Sequence, residues 1–362
     1  MKNNYLNVGG NSAFTTFALA GWTGVSDEEK APYNTASLTG TLSNSLSYDD
    51  LFHLQNAYWI NISSDVDEVK KMIIQYGAVA TAFYTDQTTT TGGTACYNPS
   101  TYSYYYDGSY TTNHAVVIAG WDDNYSKSNF NSLKQPSSDG AWLVRNSWGS
   151  NMGDDGYFWI SYEDAAFNSD SCSKVVVFDC ESADNYDNNY QYDGANGVYG
   201  YSLNSGGSIA NIFTVSGNNK GNSESIDAVS FALYDVNVNY SIDIYTDITD
   251  PTDPTSGTKA LSTPQTGSTS YVGYYTVPLD ESVVLKEGKT FSVVVTLSKS
   301  DASTTYFFGD YSYQNGNWIE FTSATAAGQS FRKFSESSNW YDMNASGVVA
   351  RIKAFTTDTN VD

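Results

Sequence analysis

The sequence predicts an α+β domain over residues 1–180, a linker over 181–197 and an all-β sandwich over 198–358. Three observations carry that expectation. The first part mixes helical and strand periods. The stretch "ESADNYDNNYQYDGANG" is polar and poor in aliphatic residues, as a connection between domains would be. Beyond it come seven short apolar runs separated by turn residues, with no helical period among them. A length of 362 residues also exceeds one ordinary core.

Taken in order, residues 13–22, "AFTTFALAGW", read as a short buried helix. In "SSDVDEVKKMIIQYG", Asp65 and Glu68 have the spacing of a capping box, Val66, Val69, Ile73 and Tyr76 share one face, and Gly77 is placed to end the helix. "AVATAFYT" follows as a strand. After a Tyr-, Ser- and Gly-rich loop, "HAVVIAGW", "GAWLVRNSW" and "GYFWISY" form three more, and the domain closes near "VVVFD" at 175–179. In the second part, strands are expected at "IANIFTV", "IDAVSFALYD", "YSIDIYTD", "YVGYYTVPL", "TFSVVVTL", "TYFFGDY" and "VVARIKAF". The loop "DITDPTDPTSG" departs from the calcium pattern D-x-[DN]-x-[DN]-G, so its acids read as solvated turn residues.

A net charge of −23 repels nucleic acid and anionic membranes, so neither is expected as a partner. Thirty tyrosines suit half-exposed strands, or stacking surfaces for sugars and peptides. Three cysteines are too few for a disulfide framework; whether Cys172 and Cys180 pair is left open by their spacing. No run approaches the roughly 18 apolar residues of a membrane helix. The start "MKNNYLNVGGNS" lacks the basic and apolar regions of a signal peptide, so any export address is expected upstream of Met1. Only His53 and His114 are available as histidines, which removes the multi-His metal sites; no metal or cofactor is expected.

His114 opens one strand and Asn146-Ser147-Trp148-Gly149 closes the next, so the two can face each other across neighbouring strands. An Asn oxygen accepting from one imidazole N–H fixes tautomer and orientation and leaves the other nitrogen for a thiol. An adjacent indole keeps water off that bond. His53, by contrast, is a strand residue with no motif around it.

Asn113-His114-Ala115, Gly120-Trp121, Asn146-Ser147-Trp148-Gly149, Gly153 and Gly156-Tyr157 together resemble the papain-like cysteine peptidases. The resemblance covers about residues 5–180 and implies a peptide or protein substrate. It makes His114 the catalytic base and acid, Asn146 its orienter and Trp148 the shield, with Asn113 in a supporting place. Gly9 and Gly10 become the pair that meets the substrate backbone. Met152 stands where many relatives have a second tryptophan. The family's nucleophile lies roughly 130 to 150 residues before its histidine, which from His114 falls before residue 1. The chain is therefore expected to lack the nucleophile and to be inactive alone, unless a separate N-terminal fragment supplies it. Cys96, in "GGTACYNPS", has no helical pattern after it and reads as an inert loop thiol.

The C-terminal strands, notably "YDGANGVYGYSLNSGGSIANIFTV" and "VPLDESVVLKEGKTFSVVVTL", resemble the lectin-like sandwich attached to some bacterial papain-like peptidases. That likeness implies an exported bacterial protein, extracellular or at the cell surface, with a glycan as a further partner. Tyr199, Tyr201, Tyr271, Tyr274 and Tyr275 are the candidates for stacking on sugar, against packing within or between sheets. The alternative is a non-catalytic pseudopeptidase, or an adhesin for a surface glycan or protein.

Overall fold

The computed structural model describes residues 10–32, 44–46, 48–63, 65–86, 95–167, 174–194, 197–216, 223–315 and 319–359. They form two compact units, residues 58–179 and residues 1–57 with 180–362. Helix α1 (Ser12–Ala20) starts where the Asn11 side chain accepts the Phe14 N–H at 2.9 Å, and it buries Phe17 and Ala20. Strand β1 (Phe52–Asn61) follows.

In the unit 58–179, helix α2 (Val66–Tyr76) buries Val69 and Met72, and Gly77, at φ +86°, stops it. The capping box does not form. Asp65 holds the N-cap position without a side-chain cap bond, and Glu68 Oε2 accepts from Lys71 Nζ at 2.7 Å. Right spacing is necessary for that motif but does not compel it when a lysine one turn on competes for the glutamate.

The strands of this unit are β2 (Val79–Phe83), β3 (Tyr97–Asn98), β4 (Ser103–Tyr104), β5 (His114–Asp122), β6 (Ala141–Arg145), β7 (Tyr157–Ser161) and β8 (Lys174–Ser182). They line up as β8-β2-β5-β6-β7-β4-β3, antiparallel except for the β4–β7 pair. Val79, Phe83, Val116, Ile118, Trp142, Val144, Phe158 and Ile160 are buried. Alternate residues of β2 face inward, the period of a strand with one covered face. Two features of this sheet set up the site. Phe83 pairs with His114, so the histidine sits at the last rung of β2 against β5. The β5–β6 register shifts between Ile118 and Gly120, a bulge that re-aims the side chains beyond it.

The other unit is built on β9 (Asn188–Tyr190), β10 (Val198–Asn204), β11 (Gly207–Thr214), β12 (Ser223–Leu233), β13 (Val238–Thr246), β14 (Thr258–Lys259), β15 (Gln265–Thr269) and β16 (Val272–Lys286). It continues with β17 (Thr290–Ser298), β18 (Thr304–Tyr311), β19 (Tyr313–Asn315), β20 (Ile319–Phe321), β21 (Ser330–Lys333), β22 (Tyr341–Asp342), β23 (Val348–Ala350) and β24 (Ile352–Thr359). One sheet runs β10-β18-β12-β16, with β23 on β18 and β24 between β12 and β9; the other runs β14-β13-β17-β11-β21-β22, with β15 on β13. Ile226, Phe231, Val293, Phe307, Phe331 and Phe355 are buried. The seven apolar runs lie in β11, β12, β13, β16, β17, β18 and the pair β23–β24; Asn188–Tyr190, within 181–197, pairs with Ala354–Thr356.

This unit also encloses charge. Lys353 Nζ lies 2.8 Å and Arg351 Nη1 3.3 Å from the Asp193 carboxylate, and Arg351 Nη2 is 3.6 Å from Asp310; all four residues are buried. The Arg351 guanidinium also lies 3.8 Å from the centroid of the Phe17 ring. For two of the tyrosines named as candidates for stacking on sugar, the fold takes the other course, packing within the sheets. Tyr274 is fully buried with its hydroxyl on Ser230 Oγ at 2.8 Å, and Tyr275 is also buried, whereas Tyr199 is exposed. Gly273, Tyr274 and Tyr275 are consecutive and all buried, so both faces of β16 are covered near its start and these positions serve packing.

Candidate active site

The His114 backbone is held by its neighbour. The Asn113 N–H donates to Phe83 O at 3.0 Å, its Oδ1 accepts the Thr85 N–H at 2.8 Å and its Nδ2 donates to Thr85 O at 3.0 Å. Three bonds thus clamp the end of β2 to the start of β5. Phe83 packs its ring edge-on to the imidazole, 5.8 Å between centroids at 69°.

Asn146 is brought opposite by the loop between β6 and β7. Its N–H donates to Gly156 O at 2.9 Å, the Gly156 N–H donates to Met152 O at 2.9 Å, and Asp154 and Tyr157 exchange bonds at 2.8 and 2.9 Å. Gly149, Gly153 and Gly156 all take positive φ in this loop. At Gly153, at φ +67°, a Cβ would lie 2.1 Å from Tyr157 O, so the tight turn admits only glycine.

The outcome is a half-buried contact between Asn146 Oδ1 and His114 Nε2 at 2.9 Å, with Asn146 the buried partner. The Ser147 N–H also donates to that oxygen, at 2.8 Å. The bond from the Ser147 amide identifies this atom as the carbonyl oxygen, which has no hydrogen to donate, so the imidazole nitrogen facing it carries the proton. That leaves Nδ1 as the second functional nitrogen. Trp148 lies over the pair, its ring 4.7 Å from the imidazole at 29°, while remaining 40% exposed on its outer side.

Of the other residues singled out, Gly10 is exposed with open space around its Cα, and Gly9 lies outside the described residues. Cys96 is buried and its backbone carbonyl accepts the Tyr105 N–H at 2.9 Å. Burial pushes its thiol above the ordinary range, against the weaker pull of Lys134. Cys180 is exposed, and Cys172, whose pairing with it the spacing left open, lies outside the described residues. Among the described residues no group of three or more His, Cys, Asp or Glu side chains is arranged to hold a metal ion.

Sequence reasoning passed over Phe83 and Thr85, whose part depends on a strand register that no local motif encodes. It also left His53 without company. His53 is buried, with Nδ1 3.1 Å from Asn185 Oδ1, Nε2 3.4 Å from Asp50, and the Trp22 ring stacked 3.7 Å away at 4°. Asn185 is 132 positions distant, so only the fold could reveal that cluster.

The family model "Papain family cysteine protease" matches residues 3–180, and "Lectin like domain" matches residues 189–356. Among solved structures, the clostridial cysteine protease Cwp84 after propeptide cleavage is similar at 26% identity and a TM-score of 0.81, over 99% of this chain and 86% of that one. The cysteine protease and lectin-like domains of Cwp84, a surface layer associated protein of Clostridium difficile, give 26% identity and a TM-score of 0.76, over 95% and 72%. A search of curated protein sequences returns no match.

Proposed function

For a chain that joins a papain-family cysteine protease region to a lectin-like domain, we propose hydrolysis of peptide bonds with His114 as the proton carrier and Asn146 as its orienter. The observation that carries this reading is the 2.9 Å contact between His114 Nε2 and Asn146 Oδ1 beneath the Trp148 ring. With Nε2–H committed to Asn146, Nδ1 receives the thiol proton. The thiolate attacks the peptide carbonyl, Nδ1–H protonates the leaving amine, and water then hydrolyses the acyl-enzyme with Nδ1 as base. Trp148 excludes solvent from the Asn–His bond, Asn113 positions the histidine, and Gly9 and Gly10 meet the backbone of the substrate.

The thiolate in this reading is not Cys96, whose burial and raised pKa both oppose nucleophilicity. The papain-like spacing puts it on a cysteine roughly 130 to 150 residues before His114, on the same polypeptide or on a separate fragment. An extracellular or cell-surface location is supported by the likeness to Cwp84, described as surface layer associated. The lectin-like half takes a glycan.

An epoxysuccinyl probe tests this. Applied to protein from the native source and to the 362-residue chain, it should label a cysteine in the native protein only, and His114→Ala should abolish the labelling. Labelling of Cys96 in the shorter chain would overturn the assignment of the thiol. Labelling indifferent to both His114→Ala and Asn146→Ala would overturn the roles of the pair. No labelling of either preparation would leave a binding protein in place of a peptidase.

A further inference from the structure

We propose that a cleft of about 430 Å³, lined by Trp22, Tyr48, Asn189, Tyr190, Tyr192 and Phe213, is the binding site for a neutral sugar. The inference rests on the reading of the lectin-like half as a glycan binder and gives it a place. Every one of these residues belongs to the unit formed by 1–57 with 180–362, and the volume falls within the range of small-molecule sites.

The walls are aromatic and already fixed. The Tyr190 hydroxyl donates to the Glu224 carboxylate at 2.8 Å and accepts the Ser216 N–H at 3.2 Å. The Tyr192 hydroxyl donates to Ile212 O at 2.6 Å, and its ring stacks on Phe213, 4.9 Å between centroids at 25°. With their polar ends committed, these side chains offer the cleft rigid carbon surface, which suits the C–H faces of a sugar ring.

Two polar atoms at the same cleft have no partner. Asn189 donates its Nδ2 to Ala20 O at 3.3 Å, which fixes the amide orientation and leaves Oδ1 buried and unbonded; Trp22 Nε1 is likewise buried and unbonded. Buried polar groups are rarely left so. Neither atom is reached by solvent, so the polar groups open to a ligand are the hydroxyls of the exposed Thr214 and Ser216 in the same lining, which both give and accept, as the hydroxyls of a sugar do. An anionic ligand is disfavoured by the net charge of −23 and by Asp187 in the same lining.

The backbone adds an independent observation. Trp22 and Tyr48 take φ of +58° and +64°, a region that bulky L-residues enter only when their surroundings impose it. These two line the one cleft, while a third aromatic with positive φ, Tyr102 at +51°, lies elsewhere.

Calorimetric titration of the whole chain with N,N′-diacetylchitobiose and with cellobiose decides the matter. At least one disaccharide should bind. Tyr48→Ala, at a side chain 73% exposed, should weaken binding without touching the fold. Tyr199→Ala should leave it unchanged. Binding that survives Tyr48→Ala but is lost with Tyr199→Ala would overturn this site and leave the glycan reading standing. Failure of both disaccharides, followed by failure of an array of neutral glycans, would overturn the glycan reading itself.

Discussion

Two glycines of the Asn146 loop share the sign of φ but differ in the space around them. Gly149, at φ +87°, has no atom within 4 Å of where a Cβ would stand; Gly153, at φ +67°, has Tyr157 O at 2.1 Å and the carbonyl carbon at 3.0 Å. Alanine at either position bears the left-handed cost of about 1–2 kcal/mol. At Gly153 the strand must also retreat from the new methyl. That strains the Asp154–Tyr157 exchange, two hydrogen bonds of 2.8 and 2.9 Å, each worth about 0.5–1.5 kcal/mol. Gly153→Ala should therefore cost about 2–5 kcal/mol and Gly149→Ala about 1–2 kcal/mol. Thermal unfolding gives the total, and hydrogen exchange at Ala141–Arg145 and Tyr157–Ser161 locates it. Because the Asn146 N–H is bonded to Gly156 O, Gly153→Ala should also reduce turnover of the active protease, and Gly149→Ala much less. Equal losses of stability would refute the reasoning, since φ alone would then account for both.

In the active protease, Asn146→Ala should lower kcat by about 10²-fold with KM little changed, because the imidazole loses its fixed tautomer while the substrate contacts remain; steady-state kinetics on a peptide substrate checks the split. Iodoacetamide at pH 8 should alkylate exposed Cys180 well before Cys96, whose thiol is buried and raised, and denaturant should abolish the difference; peptide mapping by mass spectrometry reads both rates. Asp193→Asn should destabilise the sandwich by about 3–5 kcal/mol, since it leaves Arg351 and Lys353 buried with Asp310 as the remaining carboxylate of the cluster. Urea unfolding measures that loss, and an unchanged midpoint would mean the cluster stays hydrated.

The contact between His114 and Asn146 was legible because its motifs are local. His114 and Asn146 each lie at the edge of an apolar run, and antiparallel pairing of neighbouring strands brings the start of one beside the end of the next. The positioning of the pair was not, because Thr85 meets Asn113 through the β2–β5 register and a bulge resets β5 against β6. The sandwich strands were readable from alternation and turn residues. Tyr274 and Tyr275 were not separable from Tyr199 in the sequence: which aromatic is buried depends on the face that each strand turns inward. The strand at Asn188–Tyr190 is short and polar, and it is held by partners more than 160 positions away, so no local pattern announced it.

Phe17 lies against the buried guanidinium of Arg351, and the carbonyls of Ala20 and Gly21 accept from the side chains of Asn189 and Gln191. Helix α1 precedes the protease strands in the chain yet helps to cover the sandwich. The lectin-like region is therefore not a cassette that recombination could lift out at residue 189 and append elsewhere. A donor gene would have to transfer both ends of this chain together, so the two halves are expected to pass between lineages as one inherited piece.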